Sequence, residues 1–231
     1  MVVKTAENIL KRKIELVMGI LLLLGVIVMS KKLSEIVEDV FQNVEPREAL
    51  IVIDPGHGGQ DPGKVGVNDA LEKDINLAIA EKLRKNLEDM GVQIVMTRED
   101  DMVPDGKKED LKKRVDLINE VKPELVVCIH QNSFTNQTVA GPQVFYHGES
   151  DVSKEISQML QEELWQIDTE HKREIKGNES YYMLSETSVP TVIVECGFLS
   201  NPQDAEKLIT EEYQQQVASA ICTGIIKWLD K

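Results

Sequence analysis

Three cysteines, Cys128, Cys196 and Cys222, are too few and odd in number for a disulfide framework. Two of them lie inside apolar strand-like runs, so all three read as buried thiols. That is compatible with an exported protein of a bacterium, above all an anaerobe. Basic residues are also short: 26 Lys and Arg stand against 40 Asp and Glu, for a net charge of −14. Residues 1–48 are electrically neutral, so the rest of the chain carries the whole deficit. An acidic domain is a poor partner for nucleic acid or anionic lipid. There is no internal repeat and no low-complexity segment, which excludes solenoids and linkers as the main architecture. Three chemical signatures are missing too: no Gly-Lys-Ser/Thr, no G-x-G-x-x-G and no His-Glu-x-x-His.

Long apolar runs are limited to one. Leu16–Met29 contains no charged residue and is flanked by Lys11, Arg12 and Lys13 before and Lys31 and Lys32 after. It is short for a spanning helix, which needs about 20 residues, and it resembles the core of a secretory signal. No small-x-small cleavage site follows it, so residues 1–32 are expected to be an uncleaved signal anchor, with a cleaved signal peptide as the alternative. The basic triplet favours the N-terminus inside and the domain outside. Residues 33–48 are polar and acidic, with a weak helical pattern in Ile36, Val37, Val40 and Phe41, and are read as a linker or stalk. The folded domain is expected over 49–231.

Within it, strand-like runs occur at 50–53, 92–97, 124–130, 142–146, 181–184 and 191–196. Helical periodicity separates them. Ile75, Ile79, Leu83 and Leu87 mark a helix at 73–90 closed by Gly91. Leu111, Val115 and Ile118 mark a second. Val152, Ile156, Leu160 and Leu164 belong to a third, and Val217, Ile221, Ile225 and Trp228 to the last. Strands alternating with helices imply an α/β single domain: a twisted, mostly parallel six-stranded sheet flanked by helices on both faces. The 142–146 run follows a short loop, so part of the sheet is expected to be antiparallel.

Four residues carry candidate chemistry. His57 sits in Asp54-Pro55-Gly56-His57-Gly58-Gly59, just past the first strand. Glu72 opens the first helix. His130 ends the run Leu125–Ile129, and Glu195 ends Thr191–Val194. Ligands of an open α/β sheet gather beyond the carboxyl ends of its strands, which is where chain geometry delivers all four. Two imidazoles and a carboxylate suit a catalytic Zn²⁺ with a fourth position open for water. A further carboxylate can then move protons. A carboxylate in an apolar strand is costly unless paired, protonated or near a cation, which makes Glu195 a strong clue.

Blander readings compete. The glycine loop is a phosphate cradle in other proteins, but a histidine occupies its middle and no phosphate-binding motif accompanies it. His130 alone would be a structural hydrogen bonder. Cys128 shares its strand face and is either a fourth ligand or packing behind the site. Cys196 falls on the opposite face from Glu195. Asp74 competes with Glu72 but is expected to point elsewhere. His147 and His171 read as turn and surface residues.

The residues now fit a known family. The segments Ile51-Val52-Ile53-Asp54-Pro55-Gly56-His57-Gly58-Gly59, Leu71-Glu72-Lys73-Asp74, Met96-Thr97-Arg98, Ile129-His130-Gln131-Asn132-Ser133 and Val194-Glu195-Cys196-Gly197-Phe198-Leu199-Ser200-Asn201 resemble, in order, the zinc-dependent N-acetylmuramoyl-L-alanine amidases of the amidase-3 type. The resemblance covers residues 50–231. It implies that His57, Glu72 and His130 are metal ligands for one Zn²⁺ and that Glu195 is the catalytic carboxylate. It implies hydrolysis of the amide between the lactyl group of N-acetylmuramic acid and L-alanine in peptidoglycan. The short layout, with Leu111–Asn119 and Gly141–Tyr146, looks like the spore cortex amidases that act in germination. That implies an extracytoplasmic site of action and a functional link, through muramic-δ-lactam formation, to a muramic acid deacetylase. Cys128 stands where family members often have Ser, and Cys196 where they often have a small aliphatic residue. Some relatives carry a long inhibitory helical insert after the third strand; about fifty residues separate Asn132 from Tyr181 here, which implies an open site or control by an activating protein partner. Other readings of the same residues are a peptidoglycan-binding module without catalysis, a zinc peptidase or deacetylase, and a nucleotide-binding protein.

Overall fold

The computed structural model describes residues 18, 22–23, 25–32, 47–103 and 106–231. The chain divides into two compact units, Met1–Glu45 and Pro46–Lys231. In the first, residues 25–32 are helical, with the side chains of Val26, Ile27, Val28 and Met29 exposed. Among the described residues no helix is long and apolar enough to cross a membrane. Residues 1–17 and 33–46 lie outside the described residues, and with them most of the expected anchor and stalk.

The second unit is built on six strands: β1 (Leu50–Pro55), β2 (Gln93–Met96), β3 (Leu125–Asn132), β4 (Gln143–Tyr146), β5 (Lys176–Gly177) and β6 (Thr191–Phe198). They lie in the order β2-β1-β3-β6-β4-β5. β1, β2, β3 and β6 run parallel; β4 runs antiparallel to β6. The α/β class agrees with the hydrophobic pattern, and the antiparallel β4 with the short loop that precedes it.

Alternation along the strands sorts the core into two layers. Ile51, Ile53, Leu125, Val127, Val192 and Val194 face α1 (Glu72–Asp89), α3 (Asp151–Ile167) and α6 (Glu211–Leu229). Val52, Val126, Cys128 and Ile193 face α2 (Lys107–Val121) and α4 (Tyr182–Glu186). Helix α1 buries Ile75, Ile79, Leu83 and Leu87, the i, i+4 stripe that defines it in the sequence. His130 and Glu195 continue the β3 and β6 rows that carry Cys128 and Ile193, so both project on the α2 and α4 side, at the carboxyl rim.

One strand expected from the sequence is a helix. Residues 182–184 lie in α4 with Tyr181 as its N-cap, and the fifth strand is the two-residue β5, paired with Phe145 and Tyr146 of β4. A short apolar run does not distinguish a strand from a helical turn. Here Asn178 decides it: its side-chain oxygen accepts from the backbone N–H of Ser180 and Tyr181, bending the chain into the turn that α4 continues. Helix α5 (Pro202–Leu208) also escapes the periodicity, although its start is legible. Asn201 caps it by accepting from Gln203 and Asp204, and Pro202 takes the first turn.

Candidate metal centre

The chain leaves β1 into a loop that has room for one residue type at its first position. A Cβ on Gly56 would lie 2.1 Å from His130 Cε1, so glycine is what lets the imidazole of His130 lie against the loop. His57 then adopts φ +62°, a left-handed conformation uncommon for non-glycine residues. Its Nδ1 lies 2.9 Å from Asp61 Oδ2 and its Nε2 3.3 Å from Glu72 Oε1. With both ring nitrogens protonated, His57 donates from Nδ1 to Asp61 and faces Glu72 with Nε2–H; a bound metal would take the place of the Nε2 proton.

Glu72 is the pivot. It sits at the first residue of α1 and is buried. Its Oε2 accepts from the Lys64 amide at 2.7 Å, and its Oε1 accepts from the Gln131 amide at 3.0 Å. His130 Nδ1 stands 2.9 Å from the same Oε1. Burial works against its charge, but hydrogen bonds from His130 and His57 outweigh it and hold the carboxyl far below the usual range. Burial likewise works against a charged His130, and the Glu72 hydrogen bond again prevails, raising its pKa. The two imidazoles meet edge to face with centroids 5.1 Å apart. One donor atom from each of His57, Glu72 and His130 lies within 4.8 Å of the others, so the three form a group that could hold a metal ion. The donor set fits Zn²⁺, which takes imidazole and carboxylate ligands.

Glu195 belongs to the same rim but not to that group. It pairs in register with His130 across β3 and β6 and is 8% exposed. Its Oε2 is buried with no hydrogen-bond partner among the described residues. Burial pushes its pKa up to about 7; the charge of Glu72 adds to this, and His130 and His57 oppose it. The four residues share a cleft of about 400 Å³ whose walls include Lys64, Ser133, Tyr181 and Tyr182. No residue of α3 lines it; that helix packs into the opposite core layer.

The competing assignments separate cleanly. Gly56 N donates to Ile129 O, Gly58 N to Asp61 O and Gly59 N to Asp101 Oδ1, so the loop amides that a phosphate cradle would need are engaged within the protein. Cys128 is fully buried beside Asp54, with its thiol pKa pushed well up by burial, and is not part of the metal-competent group. Cys196 joins the core layer on the far face. Asp74 is exposed on α1. His171 turns to Asp168, in a separate pocket.

Three residues around the centre have roles that the sequence patterns did not assign. Asp61 orients His57. Arg98 and Arg114, 6% and 4% exposed, donate to the carbonyl oxygens of the His57 loop. Both arginines lie within family-like segments, but nothing in the sequence says what they touch. The signal for Asp61 is its spacing, four residues after a candidate ligand.

With this geometry in view, comparison with known proteins is decisive. Residues 51–227 match the Amidase_3 family model, described as N-acetylmuramoyl-L-alanine amidase. The chain belongs to this family. It is a hydrolase of an amide bond in peptidoglycan. It is 38% identical over 188 residues to the germination-specific N-acetylmuramoyl-L-alanine amidase of Bacillus subtilis, covering 78% of this chain and 79% of that one. It is 29% identical to the N-acetylmuramoyl-L-alanine amidase AmiA of Escherichia coli, covering 78% and 77%. Among solved structures, the CwlD amidase of Clostridioides difficile, determined in complex with the GerS lipoprotein, superposes with a TM-score of 0.76 at 38% identity, covering 79% of this chain and 99% of that one. AmiC2 of Nostoc punctiforme superposes with a TM-score of 0.73 at 34% identity, covering 81% and 100%.

Proposed function

We propose that this amidase uses Zn²⁺ held by His57, Glu72 and His130, with Glu195 as the catalytic carboxylate. Its substrate bond is the amide between N-acetylmuramic acid and L-alanine in spore cortex peptidoglycan. The observation that carries the reading is Glu195: a buried carboxylate with an unpartnered oxygen, beside a group of three metal-competent side chains. A buried charge without a partner is costly, and a neighbouring cation or a proton in transit relieves it.

Zinc, when bound, supplies a Lewis acid that lowers the pKa of water and polarises a carbonyl. The chain supplies the rest. Asp61 fixes the tautomer of His57, and the Lys64 and Gln131 amides fix the plane of the Glu72 carboxylate. Glu195 takes a proton from the attacking water and delivers it to the departing L-alanine nitrogen. A carboxyl whose pKa is raised toward neutrality suits both halves of that transfer.

The likeness to the germination-specific amidase supports cortex peptidoglycan as the physiological substrate. Removing the stem peptide frees the lactyl carboxyl of muramic acid, and a deacetylase freeing the neighbouring amine would allow the δ-lactam to close. Peptidoglycan lies outside the cytoplasm, so the enzyme is exported, and residues 1–32 serve as its membrane anchor or signal. The relative solved with a lipoprotein supports an extracytoplasmic protein partner here as well. Digesting purified cortex with the zinc-loaded protein tests the reading: new L-alanine amino termini and peptide-free muramic acid are expected. Free acetate without new amino termini would replace amidase chemistry by deacetylation. In the producing organism, loss of the gene should give spores whose cortex lacks muramic-δ-lactam.

A further inference from the structure

The loop that carries His57 is held from outside by two buried guanidinium groups on different elements. Arg98, just past β2, donates from Nε to Pro55 O at 2.9 Å and from Nη2 to Gly56 O at 3.1 Å. Arg114, on α2, donates from Nη1 to Pro55 O and from Nη2 to His57 O, both at 2.7 Å. Three successive carbonyls, at 55, 56 and 57, thus each end on an arginine. Each guanidinium is fixed in turn. Arg114 pairs with Asp54 at 2.9 Å and with Asp110 at 2.8 Å, and Arg98 also donates to Lys73 O at 2.8 Å, one residue from Glu72. The held segment contains the left-handed His57. Burying two cations there costs desolvation, which the backbone carbonyls and the Asp54 and Asp110 carboxylates offset.

We propose that Arg98 and Arg114 are positioning residues for the metal centre. They hold the 55–57 backbone in the conformation that aims His57 Nε2 at Glu72 and thereby set the affinity for the metal. The inference rests on the zinc reading above. The planar fork of arginine is what spans two carbonyls and a carboxylate at once; a lysine ammonium is a single point of donation. Residues that orient metal ligands without touching the metal typically contribute 10- to 100-fold in affinity.

The test uses the full chain, with zinc affinity measured by competition against a chromophoric chelator and geometry read from the visible spectrum of the Co²⁺-substituted protein. Arg98→Lys and Arg114→Lys are expected to weaken zinc by roughly 10- to 100-fold and to change the Co²⁺ bands, with circular dichroism retained. Leu164→Ala, in the core layer facing away from the site, is the control: a lower thermal midpoint with unchanged zinc affinity. If Arg114→Lys does not fold, Asp110→Asn, which releases Arg114 Nε, is expected to weaken zinc in the same direction. Wild-type affinity in folded arginine variants, or in Asp110→Asn, overturns the inference, as does equal weakening in Leu164→Ala. His57→Ala and His130→Ala separate the two levels. If they abolish binding while the arginine variants do not alter it, the positioning role alone fails. If they too leave it unchanged, the zinc reading fails.

Discussion

Arg114 Nη2 donates a 2.7 Å hydrogen bond to the backbone oxygen of His57, while Nη1 of the same group pairs with Asp54, three residues upstream. The candidate ligand, the end of β1 and helix α2 are thereby joined through one buried cation. Stability and the chemistry of the centre therefore share residues.

Asp54 should show this coupling in acid. Burial raises its pKa, but the Arg114 charge and hydrogen bonds from Thr97 and Arg114 prevail and lower it. A carboxyl lowered on folding contributes stability that is present above its unfolded pKa of about 4 and is lost as pH falls through the folded value. Asp54→Asn leaves Arg114 buried with half its pairing and should destabilise by about 3–5 kcal/mol at pH 7. The deficit should shrink as pH falls below 4. Urea denaturation at pH 7 and pH 3 measures both.

Glu195 has the opposite sign. In the metal-free protein its pKa is raised to about 7, so its contribution is favourable below the unfolded carboxylate pKa and is lost as pH rises through 7. Glu195→Gln should therefore stabilise the chelator-treated protein at pH 8, by on the order of 3 kcal/mol, and change little at pH 4. The same variant should bind zinc and lose roughly 10²- to 10⁴-fold in amide hydrolysis. A variant retaining full activity would remove Glu195 from proton transfer.

Gly56→Ala places a methyl group within the ring of His130. The imidazole has to move, since the loop on the other side is held by Arg98 and Arg114. The expected result is loss of zinc binding with about 1–3 kcal/mol of destabilisation from overpacking. Metal analysis beside a thermal melt checks it; wild-type zinc content would show that the loop yields instead.

Cys128→Ala should keep full zinc stoichiometry, because the thiol is packed under Asp54 rather than within the ligand group. Loss of zinc in a folded Cys128→Ala protein would make sulfur a fourth ligand.

How much of this was legible beforehand depends on how local the information is. The parallel sheet follows from strand and helix periods repeated over many residues. The convergence of His57, Glu72, His130 and Glu195 follows from their being at strand ends or a helix start. α4 is not legible because the four-residue run Tyr181–Leu184 carries too little periodicity, and the Asn178 side chain that sets the turn lies outside the run. The arginine brace was hidden for a different reason. Arg98 and Arg114 stand on separate elements, one past β2 and one mid-α2; pairing of β2 with β1 brings the first, and packing of α2 against β1 the second, to the carbonyls at 55–57.

The central claim is that His57, Glu72 and His130 hold the metal for amide hydrolysis. The most direct test is the zinc content of the purified protein beside His57→Ala, Glu72→Ala and His130→Ala, each verified as folded. The account predicts about one zinc per wild-type chain and loss of it in all three variants. Stoichiometric zinc retained in any two folded variants would contradict it.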